Sequence, residues 1–323
     1  MEREIRPSDW TRFRKYASLV RTFTFSFAAS STLDLAWYQN LHMAACGEPL
    51  LPNIKEFSWT ATLPENTMAS FPFILLFMGP HLSKFSISDW NGEASAARRA
   101  VFSLIASLPA RYPNLIDVSI SLEGAGGRAV ISAAVMGWNR LQRLTVHDIS
   151  PDALTHIASL PNLHTVRIAP PADMILPLHL PPPAFPALRQ LSIETEKLSL
   201  STQFLQLWPT PSRCLSNAHF CGDEDLTSTS TWTDISKTVA DKFSPETLSC
   251  LEIEDYSYWR SDIDQETAFL EFVVPAKSLR PLFAFSHLTK ADLWASHGFD
   301  LDDAFIVDLA KAWPRIKTRR SLV

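Results

Sequence analysis

The chain has 323 residues, of which 46% are hydrophobic, and its 29 basic and 34 acidic side chains give a formal net charge of −5. A single compact domain rarely grows beyond roughly 250–300 residues, so this length favours two domains or an elongated architecture. The near balance of charge argues against a nucleic-acid-binding protein, and four cysteines without a CxxC pair argue against a disulfide-rich secreted protein. No apolar run approaches the ~20 residues needed to cross a bilayer. We therefore expect a cytoplasmic or nuclear protein that binds neither nucleic acid nor membrane.

A short apolar pattern recurs along the chain and predicts a series of strands. Each copy has an apolar residue, two variable residues, a second apolar residue, one variable residue and a third apolar residue. Successive copies begin between 22 and 40 residues apart, and leucine-rich repeats share this core at a spacing of about 20–29 residues. The pattern therefore indicates irregular repeats, some of which carry insertions. In chain order the copies begin at Val20, Ile54, Leu82, Leu115, Leu141, Leu163, Leu188, Leu215, Leu248 and Leu288, and Ile316 begins a degraded last copy.

Segments between these strands have the 3.6-residue apolar period of helices. Residues 100–108, 150–160 and 302–313 are examples, and the second of them begins with Ser150 as N-cap and Pro151 in the first turn. Proline often lies two residues before the first apolar residue of the next strand, where it ends the preceding helix. The chain is therefore expected to alternate between strand and helix.

This alternation predicts an α/β fold in the form of a curved leucine-rich-repeat-like solenoid. A parallel sheet would line its concave face and helices its convex face, because a single repeat buries its apolar side only against its neighbours. We expect one solenoid over residues 1–323, with residues 1–19 as an N-terminal capping helix segment and residues 314–323 as the degraded last repeat. The alternative is a generic α/β domain in which the pattern arises by chance.

Several segments of the chain resemble fungal F-box proteins that carry leucine-rich-type repeats. The resemblance is carried by residues 279–293, 299–303 and 309–316, by residues 244–258, and by residues 7–20, which are similar to the segment that follows the F-box in that family. In that family the F-box binds the Skp1 adaptor of a cullin ubiquitin ligase, and the repeats bind the substrate. The resemblance therefore implies a protein-interaction role similar to that of a ubiquitin-ligase substrate receptor.

The resemblance covers the repeat region, and we expect the F-box itself to be absent. Only six residues precede Pro7, which is far fewer than a helical F-box requires. An Skp1-type adaptor is for that reason a less expected partner than a protein bound by the repeats. The alternative function is a free-standing repeat scaffold unconnected to ubiquitin ligation.

The candidate binding residues follow from the alternation of side chains along each strand. Residues between the apolar positions point to the opposite face of the sheet, and in the second half of the chain these are enriched in carboxylates and aromatic residues. An acidic patch with an aromatic rim suits a basic segment of a partner protein. The alternative is that the aromatic side chains fold back onto the core. The predicted partner-binding residues are Glu194, Glu252, Glu254, Asp255, Tyr256, Tyr258, Trp259, Asp292 and Trp294.

Other motifs are better explained by structure than by chemistry. The glycines at 124, 126 and 127 lack the register of a phosphate-binding loop, so a turn is favoured. His219, Cys221 and Cys214 lack a fourth ligand at zinc-site spacing. The aspartates at 300, 302 and 303 are expected to begin a helix, and residues 223–231 to form a solvated loop. We therefore expect no metal, no cofactor and no enzymatic activity.

Overall fold

The computed structural model describes residues 7–26, 35–61, 73–89, 95–122, 127–170, 180, 182–209, 214–222, 229–256 and 273–320. The chain divides into two compact units, Met1–Ala153 and Leu154–Val323, and we call them unit 1 and unit 2. Within the described residues, none of the helices combines the length and the apolar character needed to cross a lipid bilayer.

Unit 1 contains five parallel strands that pair in chain order, from β1 to β5. Parallel neighbours require a crossover connection, and helices occupy several of these connections. The elements are α1 (Pro7–Ala17), β1 (Thr22–Ser26), α2 (Leu35–Ala45), β2 (Glu56–Ala61), β3 (Lys84–Asp89), α3 (Ser95–Arg111), β4 (Asp117–Leu122), α4 (Arg128–Met136) and β5 (Arg143–Val146).

The core of unit 1 is built from the repeated apolar positions. In β4 the side chains of Val118, Ile120 and Leu122 are buried, whereas the intervening side chains are half-exposed. The second apolar positions of the first three copies are phenylalanines that stack on one another, with centroid separations of 6.0 Å between Phe23 and Phe57 and 6.1 Å between Phe57 and Phe85. Equivalent residues of successive copies therefore share one apolar layer.

Unit 2 contains six parallel strands in the order β6-β7-β8-β9-β11-β13, and a separate parallel pair formed by β10 and β12. The boundary between the units falls within α5 (Pro151–Ser159). The other elements are β6 (Thr165–Ile168), β7 (Gln190–Thr195), α6 (Leu198–Gln206), β8 (Asn217–Gly222), α7 (Thr229–Lys242), β9 (Cys250–Asp255), β10 (Val274–Pro275), a 3-10 helix (Ala276–Ala284), β11 (Lys290–Trp294), β12 (Phe299–Asp300), α8 (Asp303–Ala312) and β13 (Thr318–Arg320).

Aromatic side chains fill the space between the sheet and the helices of unit 2. Trp208, Trp232 and Phe243 are buried, and the ring of Trp232 meets that of Phe299 edge-on at 5.1 Å. Gly222 ends β8 where the chain passes close to the start of α6, since a Cβ atom there would lie 2.8 Å from the backbone nitrogen of Leu198. Glycine is thus required at this strand end by a close backbone approach.

The predicted mixed α/β class with parallel strands is confirmed. The second and third apolar positions of the ten copies fall on β1–β9 and β11, and the predicted helices at 100–108 and 150–160 correspond to α3 and α5. Ser150 accepts a hydrogen bond from the backbone nitrogen of Ala153 at 3.3 Å, as expected of an N-cap. The β10–β12 pair was not predicted from the apolar pattern.

Candidate functional site

The strand register of unit 2 aligns the side chains predicted to form a binding surface. Arg167, Ser192, His219, Glu252 and Asp292 lie directly opposite one another on β6, β7, β8, β9 and β11. Their apolar neighbours on either side along each strand point into the core, so these polar side chains share one face of the sheet.

A second row lies two residues further along the strands. It contains Glu194 on β7, Cys221 on β8, Glu254 on β9 and Trp294 on β11. We call the polar and aromatic side chains of both rows, together with Lys290, the charged face of unit 2. Its members are Arg167, Ser192, Glu194, His219, Cys221, Glu252, Glu254, Lys290, Asp292 and Trp294.

The imidazole of His219 is held between two strands. Its Nδ1 atom lies 2.9 Å from the hydroxyl of Ser192, and its Nε2 atom lies 3.3 Å from Oε2 of Glu254. The histidine and the glutamate are both half-buried. Contacts at both nitrogens fix the orientation of the ring.

Glu254 accepts a second hydrogen bond from the hydroxyl of Tyr256, at 2.9 Å from the same oxygen. Burial, followed by this hydrogen bond to a carboxylate, raises the pKa of Tyr256 to about 12, so the phenol stays protonated and donates at physiological pH. Tyr256 is nevertheless 45% exposed. Its hydroxyl therefore contacts Glu254, while its ring is partly exposed to solvent at the edge of the site.

Glu252 forms an ion pair with Lys290 on the neighbouring strand and also accepts a hydrogen bond from the thiol of Cys250 at 3.5 Å. Burial opposes ionisation of Glu252, but the hydrogen bond and the charge of Lys290 outweigh it and lower the pKa of the carboxyl. Burial and the adjacent Glu252 raise the pKa of the Cys250 thiol to about 11. The carboxylate is therefore charged and the thiol neutral near pH 7.

The face has an acidic excess that is smaller than the sequence suggests. Arg167 pairs with Glu194, and Lys290 pairs with Glu252. Among the ten residues of the charged face, four carboxylates and two permanent cations leave an excess of two negative charges when His219 is neutral, and Arg320 of β13 lies opposite Asp292 in the strand register. The predicted acidic patch is better described as a mixed network with a net negative charge.

The structure brings most of the predicted binding residues together. Glu194, Glu252, Glu254 and Asp292 are half-buried on the charged face, and Trp294 is 41% exposed beside them. The side chains of Trp294 and Tyr256 are thus exposed and do not fold back onto the core.

Two of the predicted positions are outside the described residues and one has a different environment. Tyr258 and Trp259 belong to the part of the chain that the structure does not describe. Asp255 was predicted to belong to the binding surface, but it is the last residue of β9 and is only 4% exposed. Because side chains alternate along a strand, the neighbour of outward-facing Glu254 turns toward the interior.

Other motifs noted in the sequence either have a structural role or lie outside the described residues. Asp302 is the N-cap of α8 and accepts a hydrogen bond from the backbone nitrogen of Phe305 at 2.6 Å, so the predicted capping role is confirmed for this residue. The glycines at 124 and 126 and residues 223–228 lie outside the described residues. Residues 229–231, predicted to end a solvated loop, instead form the first turn of α7.

One group of possible metal ligands occurs among the residues that the structure describes. His219, Glu252 and Glu254 each offer a ligand atom, and these atoms all lie within 4.8 Å of one another. In the sequence His219 is near Cys214 and Cys221, whereas the two carboxylates are more than 30 positions away and were not predicted as ligands. The signal that identifies them is the strand register, which places β9 beside β8.

No protein-family model matches this chain, and no curated protein matches it significantly.

Proposed function

We propose that this chain is a protein-interaction repeat protein that binds a basic segment of a partner on the charged face of unit 2. It would act like the substrate-recognition half of an F-box protein in a cullin-type ubiquitin ligase. The observation that carries the proposal is the alignment of four carboxylates with the exposed indole of Trp294 on one strand face. An arginine guanidinium pairs with carboxylates through two parallel hydrogen bonds and also stacks on aromatic rings.

The proposal includes a leucine-rich-repeat-like solenoid architecture, with the sheet on the concave side. It is supported by parallel strands that pair in chain order and by apolar positions that recur once per strand in each unit. Small-angle X-ray scattering tests it, because a compact chain of this length has a radius of gyration of about 20 Å. A solenoid is expected to exceed that value clearly, and a radius near it would contradict the proposed architecture.

The charge network also explains how a partner would be selected. Lys290 and Arg167 occupy one carboxylate each, so a partner that supplies its own guanidinium groups competes with these cations or adds to the remaining acidic side chains. Exposed charge of this kind sets orientation and association rate more than affinity. The aromatic rim, in Trp294 and Tyr256, supplies the contact area that affinity requires.

A peptide-binding experiment tests the interaction. Fluorescently labelled peptides of equal length, with arginine and lysine in one series and glutamate at the same positions in the other, are titrated with the full chain at low and high salt. We expect the basic series to bind, with an affinity that falls as salt rises, and the acidic series to remain free. Equal binding of both series would reject the proposed recognition.

Charge reversal locates the site. The double substitution Glu252→Lys and Glu254→Lys is expected to reduce affinity for the basic peptides by more than about tenfold, or ~1.4 kcal/mol. The matched control is Glu196→Lys with Glu246→Lys, which changes the net charge equally at two exposed positions outside the charged face. An equal loss in both double variants would indicate a general charge effect and contradict the site assignment.

The connection with ubiquitin ligation has a separate test. Purified Skp1-type adaptor is mixed with the chain, and complex formation is followed by size-exclusion chromatography. Co-elution supports direct membership in the ligase. Separate elution, with peptide binding intact, supports a repeat scaffold that acts without the adaptor.

A further inference from the structure

We propose that His219, Glu252 and Glu254 form a binding site for a divalent transition-metal ion, with zinc as the best fit. The inference does not depend on the proposed partner interaction. It rests on three ligand types that zinc accepts, imidazole nitrogen and two carboxylate oxygens, which converge from two adjacent strands.

The distances suit a tetrahedral site. Metal–ligand bonds of about 2.0–2.2 Å place neighbouring ligand atoms roughly 3.4 Å apart in a tetrahedron. Nε2 of His219 and Oε2 of Glu254 are already 3.3 Å apart, and the full set lies within 4.8 Å. We expect the flexible side chains of the two glutamates to close the remaining gap when an ion binds.

The backbone holds the three positions in a fixed relationship. His219 is opposite Glu252 in the β8–β9 ladder, and Glu254 lies two residues further along β9 on the same face. Both strands are interior to the sheet of unit 2, since β8 is also paired with β7 and β9 with β11. Ligands on paired strands lose little conformational freedom when an ion binds.

Neighbouring side chains orient the ligands as outer-sphere groups do in metal sites. The hydroxyl of Ser192 contacts Nδ1 of His219 and leaves Nε2 directed at the carboxylates. The hydroxyl of Tyr256 donates to Glu254. When an ion binds, it replaces the Nε2 proton that His219 shares with Glu254, and the remaining Nδ1–H is placed to donate to the hydroxyl of Ser192.

The ligand set favours a metal of borderline softness. Imidazole suits zinc, nickel, copper and iron, whereas magnesium and calcium prefer oxygen ligands alone. Three protein ligands leave a fourth position for water or for a partner side chain, as in zinc sites with an open coordination position. The excess negative charge of the face favours a divalent cation at this position.

Lys290 is the natural competitor of the metal. Its ammonium pairs with Oε1 of Glu252, so an incoming ion either displaces it or binds the other carboxylate oxygen. Removal of this charge is therefore expected to strengthen metal binding. If His219, Glu252 and Glu254 only stabilised the fold, removal of the Lys290 charge would not be expected to strengthen metal binding.

The test uses the full chain after treatment with a chelator. Isothermal titration with Zn²⁺ is expected to show one site, and Co²⁺ is expected to give the intense visible absorption of tetrahedral coordination. His219→Ala and Glu254→Gln should each weaken binding by more than ~100-fold, since even outer-sphere partners contribute ~10–100-fold. Lys290→Met should bind more tightly than the parent chain, and Glu246→Gln, at an exposed position outside the charged face, is the control that should leave affinity unchanged.

Three results would overturn the site: no saturable Zn²⁺ binding, a Co²⁺ spectrum equal to that of the aqueous ion, or equal affinity in the parent chain, His219→Ala and Glu254→Gln. Circular dichroism establishes that each variant is folded. If a ligand variant does not fold, the Co²⁺ spectrum of the parent chain and the affinity of Lys290→Met decide the question, because neither depends on removal of a ligand.

Discussion

The Nε2 atom of His219 lies 3.3 Å from Oε2 of Glu254, although 35 residues separate the two in the chain. The intervening segment includes α7 and returns the chain so that β9 pairs with β8. Glu252 lies directly opposite His219, and Glu254 reaches it diagonally from the same strand face. The contact therefore depends on strand register as much as on residue type.

A matched pair of valines tests how far burial determines the stability of unit 2. Val239 in α7 is fully buried, whereas Val307 in α8 is 52% exposed. Val239→Ala is expected to lower the free energy of unfolding by about 2 kcal/mol, because two methyl groups leave the core and a cavity remains. Val307→Ala is expected to be neutral or slightly stabilising, since alanine has the higher helix propensity. Denaturant unfolding of both variants measures this, and similar losses in the two would contradict the burial described.

The capping role of Asp302 can be tested by comparing two substitutions, one that removes the side-chain acceptor and one that keeps it. Asp302→Ala removes the acceptor of the Phe305 backbone nitrogen and is expected to cost about 1 kcal/mol of stability. Asp302→Asn keeps an oxygen of equal reach and is expected to stay near the parent value. Thermal and denaturant unfolding distinguish them. Equal destabilisation by both substitutions would indicate that charge, and not the cap hydrogen bond, accounts for the effect.

The raised pKa of Tyr112 predicts a loss of stability at alkaline pH. Its ring is buried, its hydroxyl donates to the carbonyl of Met78 at 2.9 Å, and burial raises its pKa above 10 despite the nearby charge of Arg111. The folded state holds this proton more tightly than the unfolded state, so the contribution is fully present below pH 10 and is lost as pH rises beyond it.

Tyr112→Phe separates this contribution from those of the other tyrosines. The variant is expected to be about 1 kcal/mol less stable than the parent near pH 8, because the hydrogen bond is lost. The difference should shrink as pH rises above 10, since phenylalanine has no proton to release. Urea unfolding at several pH values provides the measurement, and a constant difference across that range would count against a raised pKa.

Trp294 is expected to affect binding without affecting stability. Its indole is 41% exposed, so Trp294→Ala should change the free energy of unfolding by no more than about 0.5 kcal/mol. If it anchors a partner, affinity for the basic peptides should fall by about tenfold. Tyr16→Ala, at a 55% exposed aromatic residue of unit 1, is the control. Loss of affinity in the control as well, or an unchanged affinity in Trp294→Ala, would contradict the anchor role.

The three apolar residues of each copy predicted the strands well, because their spacing matches the alternation of buried and exposed side chains along a strand. Leu144 and Val146 on β5, and Leu191 and Ile193 on β7, are all buried as the pattern requires. The segment before β11 was harder to predict, since Pro281 lacks a backbone donor and the segment forms a 3-10 helix. Local composition therefore determines the strands more reliably than the connections between them.

The candidate site could be predicted only in part. Outward-facing positions such as Glu252 and Glu254 follow from alternation along one strand, but the pairing of Glu252 with Lys290 requires knowledge of which strands are adjacent. The burial of Asp255 depends on β9 continuing to that residue, so that its side chain lies on the opposite face from that of Glu254. The order of the strands follows from the repeats, but side-chain contacts between neighbouring strands also depend on the pairing register and on where each strand ends.

The pairing of strands in chain order has a consequence for how the charged face can change. Each strand of unit 2 exposes a few side chains on the charged face, and these contact mainly side chains of the two neighbouring strands. A substitution at Ser192 or Asp292 therefore changes the exposed side chains of one strand and leaves the buried apolar residues of that strand unchanged. This surface can therefore change one strand at a time while the buried apolar layer keeps its packing.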